Sequence, residues 1–599
     1  MTTLAGASEP VIVLAGFGFR HVSAGRAALE DVSLEVRAGE YVGVLGATGA
    51  GVSTLLTALD GVVPQLVRGE TAGAIRVLGR DPRLVPVREW ARHVGLVFDD
   101  PELATTQAAV ADEVAFGLEN LGVPRGEMDA RIAGALASVG LAGFGDRVPA
   151  TLSGGERQRL AIACALVTGP SILVLDEPSA NLDPAGRRAV YGILRRLNRD
   201  GGVTVMVADH DVEAIAADAT RVVVLAGGRV VADGSPREVL GAPASLRTHG
   251  VRSTDAATLA DALGIRAPVP TSVDGVASEL ARRGLPAATN AGPGPSASDR
   301  PAPGNPLVVV SDVTFRYPGA TRAAVAGVTL TVASGEVVGV VGANGSGKTT
   351  LGRLVNGLLR PGGGRVVVDG MDTASHPVRT LAAHVGSVFQ DPGHQLFAST
   401  VADEIALGPR AQGRSEAWIG ERVRELAAAL ELEDLLGRHP LRLGRAERKL
   451  VALGAVLASS PRVLILDEPT TGADLRLSGI VEAQVGAAAA SGCAVLVASH
   501  DMGFLGRVAD RLVVMDGGRA IADAPARRVF ADASLLAVAG LESPGVARVA
   551  LALAARGPEP WPPVSLDEAV RALQGGTRRD DGAEPSRSDA GQSGEGTGR

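Results

Sequence analysis

The chain has 599 residues, enough for two or more domains with separate cores. Hydrophobic residues make up 46% and charged residues 21%, a globular balance, and a net charge of −8 leaves no global basic field, so nucleic-acid binding is not expected. Two cysteines, Cys164 and Cys493, lie far apart in apolar stretches, which suits buried thiols in a reducing compartment better than a disulfide framework.

Residues 1–10 carry no basic segment, so a signal peptide is not expected and they read as a tail. Phe19-Arg20-His21 then precedes a strand-like segment, followed by Glu40-Tyr41-Val42-Gly43-Val44-Leu45-Gly46. Both recur, as Phe315-Arg316-Tyr317 and Glu336-Val337-Val338-Gly339-Val340-Val341-Gly342, with the same spacing of 25 residues from His21 to Gly46 and from Tyr317 to Gly342. Val97-Phe98-Asp99-Asp100-Pro101 returns as Val388-Phe389-Gln390-Asp391-Pro392, and Val110-Ala111-Asp112-Glu113 as Val401-Ala402-Asp403-Glu404. Leu175-Asp176-Glu177-Pro178 returns as Leu466-Asp467-Glu468-Pro469, and Ala208-Asp209-His210-Asp211 as Ala498-Ser499-His500-Asp501. The chain is therefore a tandem duplication of one α/β nucleotide-binding domain, expected over 11–245 and 307–540.

Between the halves, 254–264 and 272–283 read as short amphipathic helices, giving a small helical appendage at 246–286. The Pro/Gly/Ala/Ser-rich 287–306 reads as a flexible linker. A second appendage is expected at 541–574 and a polar, disordered tail at 575–599. The least charged stretch, 483–499, reads as a helix end, a turn and a strand, so no bilayer span is expected.

The most informative stretch is Gly342-Ala343-Asn344-Gly345-Ser346-Gly347-Lys348-Thr349-Thr350, between the apolar run Val337 to Val341 and a helical pattern. This is a phosphate-binding loop in the strand-loop-helix setting it needs. Glycines let the chain curl so that backbone N–H groups converge on phosphate, and the helix N-terminus adds its partial positive charge. Lys348 is placed to reach the β/γ-phosphates of a nucleotide and Thr349 to offer its hydroxyl to Mg²⁺.

Leu152-Ser153-Gly154-Gly155-Glu156-Arg157-Gln158-Arg159 is a second Gly-rich turn at a helix start. With it, the order of signals in both halves resembles the ATP-binding-cassette (ABC) ATPases. The resemblance implies two tandem P-loop NTPase domains, each with a RecA-like α/β core, an antiparallel β region and a helical subdomain. It implies ATP and Mg²⁺ as ligands, bound between halves paired head to tail, the loop of one facing the signature of the other. Ser153, with Gly154, Gly155 and Glu156, would then meet the γ-phosphate, and Asp183 would lie at the same nucleotide. Asp467 would hold Mg²⁺ with Thr349 and Gln390, and Glu468 would act as general base on the attacking water. His500 would touch the γ-phosphate, and Tyr317 would stack on adenine.

The first half departs from this pattern. Its loop is Gly46-Ala47-Thr48-Gly49-Ala50-Gly51-Val52-Ser53-Thr54, with Val52 in the lysine position, Asp99 for the glutamine and His21 for the stacking aromatic. Asp176, Glu177 and His210 are retained. The second half keeps its loop but has Leu443-Gly444-Arg445-Ala446-Glu447 in the signature position. Under head-to-tail pairing the losses fall together, leaving one intact and one degenerate composite site.

Gln390-Asp391-Pro392-Gly393-His394-Gln395-Leu396-Phe397 and Thr400-Val401-Ala402-Asp403-Glu404 resemble the ATPases of energy-coupling-factor (ECF) importers. This implies a peripheral place on the cytoplasmic face of the membrane, an integral-membrane coupling subunit and a substrate-capture membrane protein for a vitamin or transition-metal ion. Asp112, Glu113, Asp403 and Glu404 are candidates to receive arginines of that partner. The alternatives are the ATPase subunit of an exporter or a soluble two-cassette protein acting on ribosomes or DNA. The short linker and acidic balance disfavour the latter.

Overall fold

A computed structural model describes residues 9–22, 25–99, 106–284, 304–554 and 562–575. Residues 1–8, most of the expected linker, the tail beyond 575, and Asp100 and Pro101 lie outside the described residues.

In the second half, short β-branched runs buried on both faces make a mostly parallel six-stranded sheet. Its order is Val385–Val388, Val463–Asp467, Ala494–Ala498, Val337–Val341, Arg511–Asp516 and Arg519–Ala524, the last pairing antiparallel. The first half repeats the order as Val94–Val97, Ile172–Asp176, Thr204–Ala208, Tyr41–Gly46, Arg221–Ala226 and Arg229–Gly234. Each half adds an antiparallel sheet, centred on Pro10–His21 in the first and Pro306–Phe315 in the second. Because the core strands run parallel, the loop after Val337–Val341, the carboxylates ending Val463–Asp467 and the turn after Ala494–Ala498 share one sheet edge. The expected strand at the end of 483–499 is Ala494–Ala498, and among the described residues no helix is long and apolar enough to cross a membrane.

The helices of the two appendages pack into one unit. Ala256, Leu259, Val276 and Leu280 of the first share an apolar cluster with Val546, Val549, Leu553 and Leu573 of the second. Gly545 N–H donates to Asp255 Oδ2 at 2.8 Å, and a Cβ on Gly545 would lie 2.4 Å from that of Asp255. The roots of the unit also cross between halves: Arg252 Nη2 donates to Ser478 Oγ at 2.5 Å, and Arg188 pairs with Glu542. The unit thus ties the two halves together. Val549 is fully buried in this cluster, so Val549→Asp is expected to cost about 3 kcal/mol or more, read as a lowered midpoint in thermal unfolding. An unchanged midpoint would show that the shared cluster contributes nothing to holding the unit together.

Candidate functional site

Glycine sets the loop's shape. At Gly347 φ is +107°, and a Cβ there would stand 2.3 Å from the carbonyl oxygen of Ala324, so no other residue fits. The matching Gly51 has φ +99° and a Cβ position 2.2 Å from Ala28 O, so the first loop keeps this geometry although Val52 has replaced the lysine. Lys348 begins the helix Lys348–Val355, and its Nζ donates to Gly342 O at 2.7 Å and Ala343 O at 3.1 Å. Ser346 Oγ is buried with no hydrogen-bond partner among the described residues, as suits a hydroxyl awaiting a phosphate oxygen.

The halves meet head to tail. Asn344 N–H of the second loop donates to Asp183 Oδ2 at 3.0 Å, and its side-chain amide donates to Asn181 O at 3.1 Å. Gln390 Nε2 donates to Asn181 Oδ1 at 3.3 Å. On the other side Thr48 N–H of the first loop donates to Asp474 Oδ2 at 3.0 Å, the mirror image of the Asn344–Asp183 contact. A cavity of about 770 Å³ opens between them, lined by Ser153, Gly154, Tyr317, Lys348, Gln390 and Glu468. Asp99 and Arg445 line the same cavity from the other site.

Several expected residues have partners the sequence did not reveal. Asp183 spends both oxygens on backbone, since Oδ1 caps the helix Pro184–Arg199 through Gly186 N–H at 2.7 Å, so it joins the halves where nucleotide contact was expected. Ser153 caps the helix Gly154–Leu166, and its hydroxyl lies 2.8 Å from Glu156 Oε2. Tyr317 packs edge-on to Phe315, with centroids 4.9 Å apart, and His21 does the same with Phe19 at 4.8 Å. Glu113 and Glu404 are buried and accept backbone N–H groups, from Thr106 and Gln107 and from Phe397 and Ala398 respectively. Asp403 pairs with Arg410 at 3.1 Å but keeps about half of its side chain exposed, so of the four candidate docking acids Asp112 and Asp403 are accessible.

The carboxylates separate the two sites electrostatically. Glu468 is buried, with Oε1 2.8 Å from His500 Nδ1 and Oε2 3.3 Å from Ser499 Oγ. Burial pushes its carboxyl up, but His500, Lys348 and Lys449 outweigh this and hold it below the usual glutamate range. Burial raises Asp467 despite a hydrogen bond from the Thr349 hydroxyl. In the first site burial drives Glu177 well above its usual range, and Asp209, Asp176 and Asp99 push the same way, opposed only weakly by Arg445. Asp176, hydrogen-bonded by Ser53, is raised to about 6, chiefly by burial. His210 Nε2 stands 3.1 Å from Glu177 Oε1, but Asp209, bonded to Ser179 Oγ at 2.8 Å, replaces the neutral Ser499.

Sequence reasoning passed over Asn181, Lys449 and Asp209. Asn181 has φ +62°, uncommon for a side-chain-bearing residue, and Lys449 breaks the match with Gln158 in an otherwise parallel repeat. Lys449 is buried and donates to Glu468 O at 2.7 Å and Thr471 O at 2.8 Å; desolvation, with Arg445, lowers its ammonium to about 7.

The family model described as ABC transporter matches residues 29–180 and 325–471. An ABC transporter ATP-binding protein of Caldanaerobacter subterraneus is 35% identical over 547 residues, 90% of this chain and 95% of that protein. One from Methanosarcina acetivorans is 34% identical, covering 91% of each. Among solved structures, cbiO1 of Clostridium perfringens, titled as part of the ABC transporter complex cbiONQ, is 29% identical with a TM-score of 0.36, over 40% of this chain and 94% of that one.

Proposed function

Because the chain belongs to the ABC transporter family of ATP-binding proteins, two cassettes in one polypeptide, we propose that it hydrolyses ATP at one composite site and energises an importer of the ECF type. The observation that carries the first part is the sorting of partners: the intact loop at Lys348 faces the intact turn at Ser153 and Gly154, and Asn344 is bonded to Asp183 across the same interface.

In this reading Lys348 leaves the loop carbonyls it holds and turns to the phosphates, while Ser346 Oγ and the loop N–H groups complete the cradle. Thr349, Asp467 and Gln390 supply hard oxygen donors that fit Mg²⁺, which when bound neutralises charge on the phosphates. Glu468, kept ionised by His500, Lys348 and Lys449, accepts the proton of the attacking water. Ser153 and the start of the helix Gly154–Leu166 close the γ-phosphate from the other half, and Tyr317 receives the adenine. The first site binds nucleotide without turning it over, since Val52 offers no cation and burial, with Asp209, Asp176 and Asp99, disfavours the carboxylate form of Glu177.

The importer reading rests on the 390–397 and 400–404 motifs and places the chain at the cytoplasmic face of a membrane, docked on a coupling subunit. Co-expression with candidate coupling and substrate-capture membrane proteins tests it. A stable complex with ATP-dependent uptake is expected; a complex that moves substrate only outward would assign the chain to an exporter, and co-purification with ribosomes alone would remove transport.

A further inference from the structure

Glu468 carries the reacting carboxylate on a backbone in the left-handed region, φ +48°, which costs an L-residue energy and persists only when the surroundings hold it. Its N–H is held by Ala498 O at 2.8 Å. Its carbonyl is held by Lys449, whose buried Nζ also takes Thr471 O, so one side chain ties both ends of the short loop after the strand. Thr471 in turn places its hydroxyl 3.4 Å from Glu468 Oε2.

The first half provides a built-in comparison. Glu177 has the same strained φ, +51°, and the same anchor to Ala208 O at 2.8 Å. The residue matching Lys449 there is Gln158, which is 3% exposed and whose Nε2 has no hydrogen-bond partner among the described residues. The Glu177 carbonyl takes no bond from Gln158 and accepts instead from Ala180 N–H at 3.1 Å, whereas the matching Thr471 N–H stands 3.5 Å from the Glu468 carbonyl that Lys449 holds. Lys449 also stands one turn along the helix Arg445–Ala458, in the half whose own signature is degenerate, so its lysine serves the carboxylate of its own half and not the nucleotide facing that helix.

We propose that Lys449 is a positioning residue for ATP hydrolysis, fixing the backbone that aims Glu468 at the attacking water. The proposal rests on the reading of Glu468 as general base. Lys449 touches no substrate atom, and its effect falls on the chemical step and not on ATP binding.

The test compares the full chain, in the complex that supports wild-type turnover, with Lys449→Met, Lys449→Gln and Glu468→Gln, reading kcat, KM for ATP, ATP affinity and thermal midpoint. Removing the anchor is expected to lower kcat about tenfold in both Lys449 variants, with KM and ATP affinity unchanged, because a misaimed carboxylate costs rate without costing binding. An unchanged kcat overturns the proposal. So does a parallel loss of kcat and ATP affinity, which would make Lys449 a packing residue for the whole site. If Glu468→Gln itself turns over at the wild-type rate, the assignment of the base fails, an outcome separable from a failure confined to Lys449.

Discussion

Glu468→Gln is expected to lower ATP turnover at least about 100-fold, and Glu177→Gln to change it less than about twofold. The two glutamates occupy matched positions, each after an apolar strand and each beside a histidine, His500 or His210. What separates them is the field. Glu468 lies among His500, Lys348 and Lys449, and the positive charges overcome the burial that would otherwise protonate it. Glu177 lies among Asp209, Asp176 and Asp99, with Arg445 opposing them, and burial and repulsion act together. The carboxylate that a general base needs is favoured at Glu468 and disfavoured at Glu177, so replacing Glu177 with an amide removes little. Steady-state phosphate release from the two variants in the membrane complex checks this, and equal losses would place catalysis at both sites.

Gly154→Arg is expected to lower turnover about 100-fold, although it lies in the half whose own loop lacks the lysine. The variant copies into the first signature the residue that the second has at Arg445. A Cβ at Gly154 meets nothing within 4 Å, so the domain folds, and the side chain extends into the cavity where the helix N-terminus must approach phosphate. The reciprocal change, Arg445→Gly, faces the Glu177 side and is expected to leave turnover within about threefold of wild type. Comparing the two reads the pairing of loop and signature directly. If Arg445→Gly were the damaging change, each half would be serving its own nucleotide.

The duplication, the phosphate loop and the sorting of intact with intact parts were legible because each depends on a short run of chain. Gly347 and Gly51 are forced by local backbone geometry, and Val52 announces a lost cation wherever the loop lies. What was not legible depends on residues brought together from far apart. Asn181 and Asp183 meet Asn344 only after the halves pair, so Asp183 read as a nucleotide residue and Asn181 as nothing. That the two appendages pack on each other is not written in either stretch, because an amphipathic face gives no sign of which surface covers it. Glu113 and Glu404 read as acids offered to a partner's arginines, whereas their oxygens satisfy N–H groups of the preceding loops. Asp209 changes one residue in a matched motif, and its effect on Glu177 depends on burial that sequence does not show.

The central claim is that one of the two composite sites performs the chemistry. Vanadate mimics the γ-phosphoryl group in flight and locks ADP only where hydrolysis has occurred, so the amount of ADP trapped per chain counts working sites. The account predicts one trapped ADP per chain, lost in Glu468→Gln and kept in Glu177→Gln. Two trapped ADP per chain would contradict it.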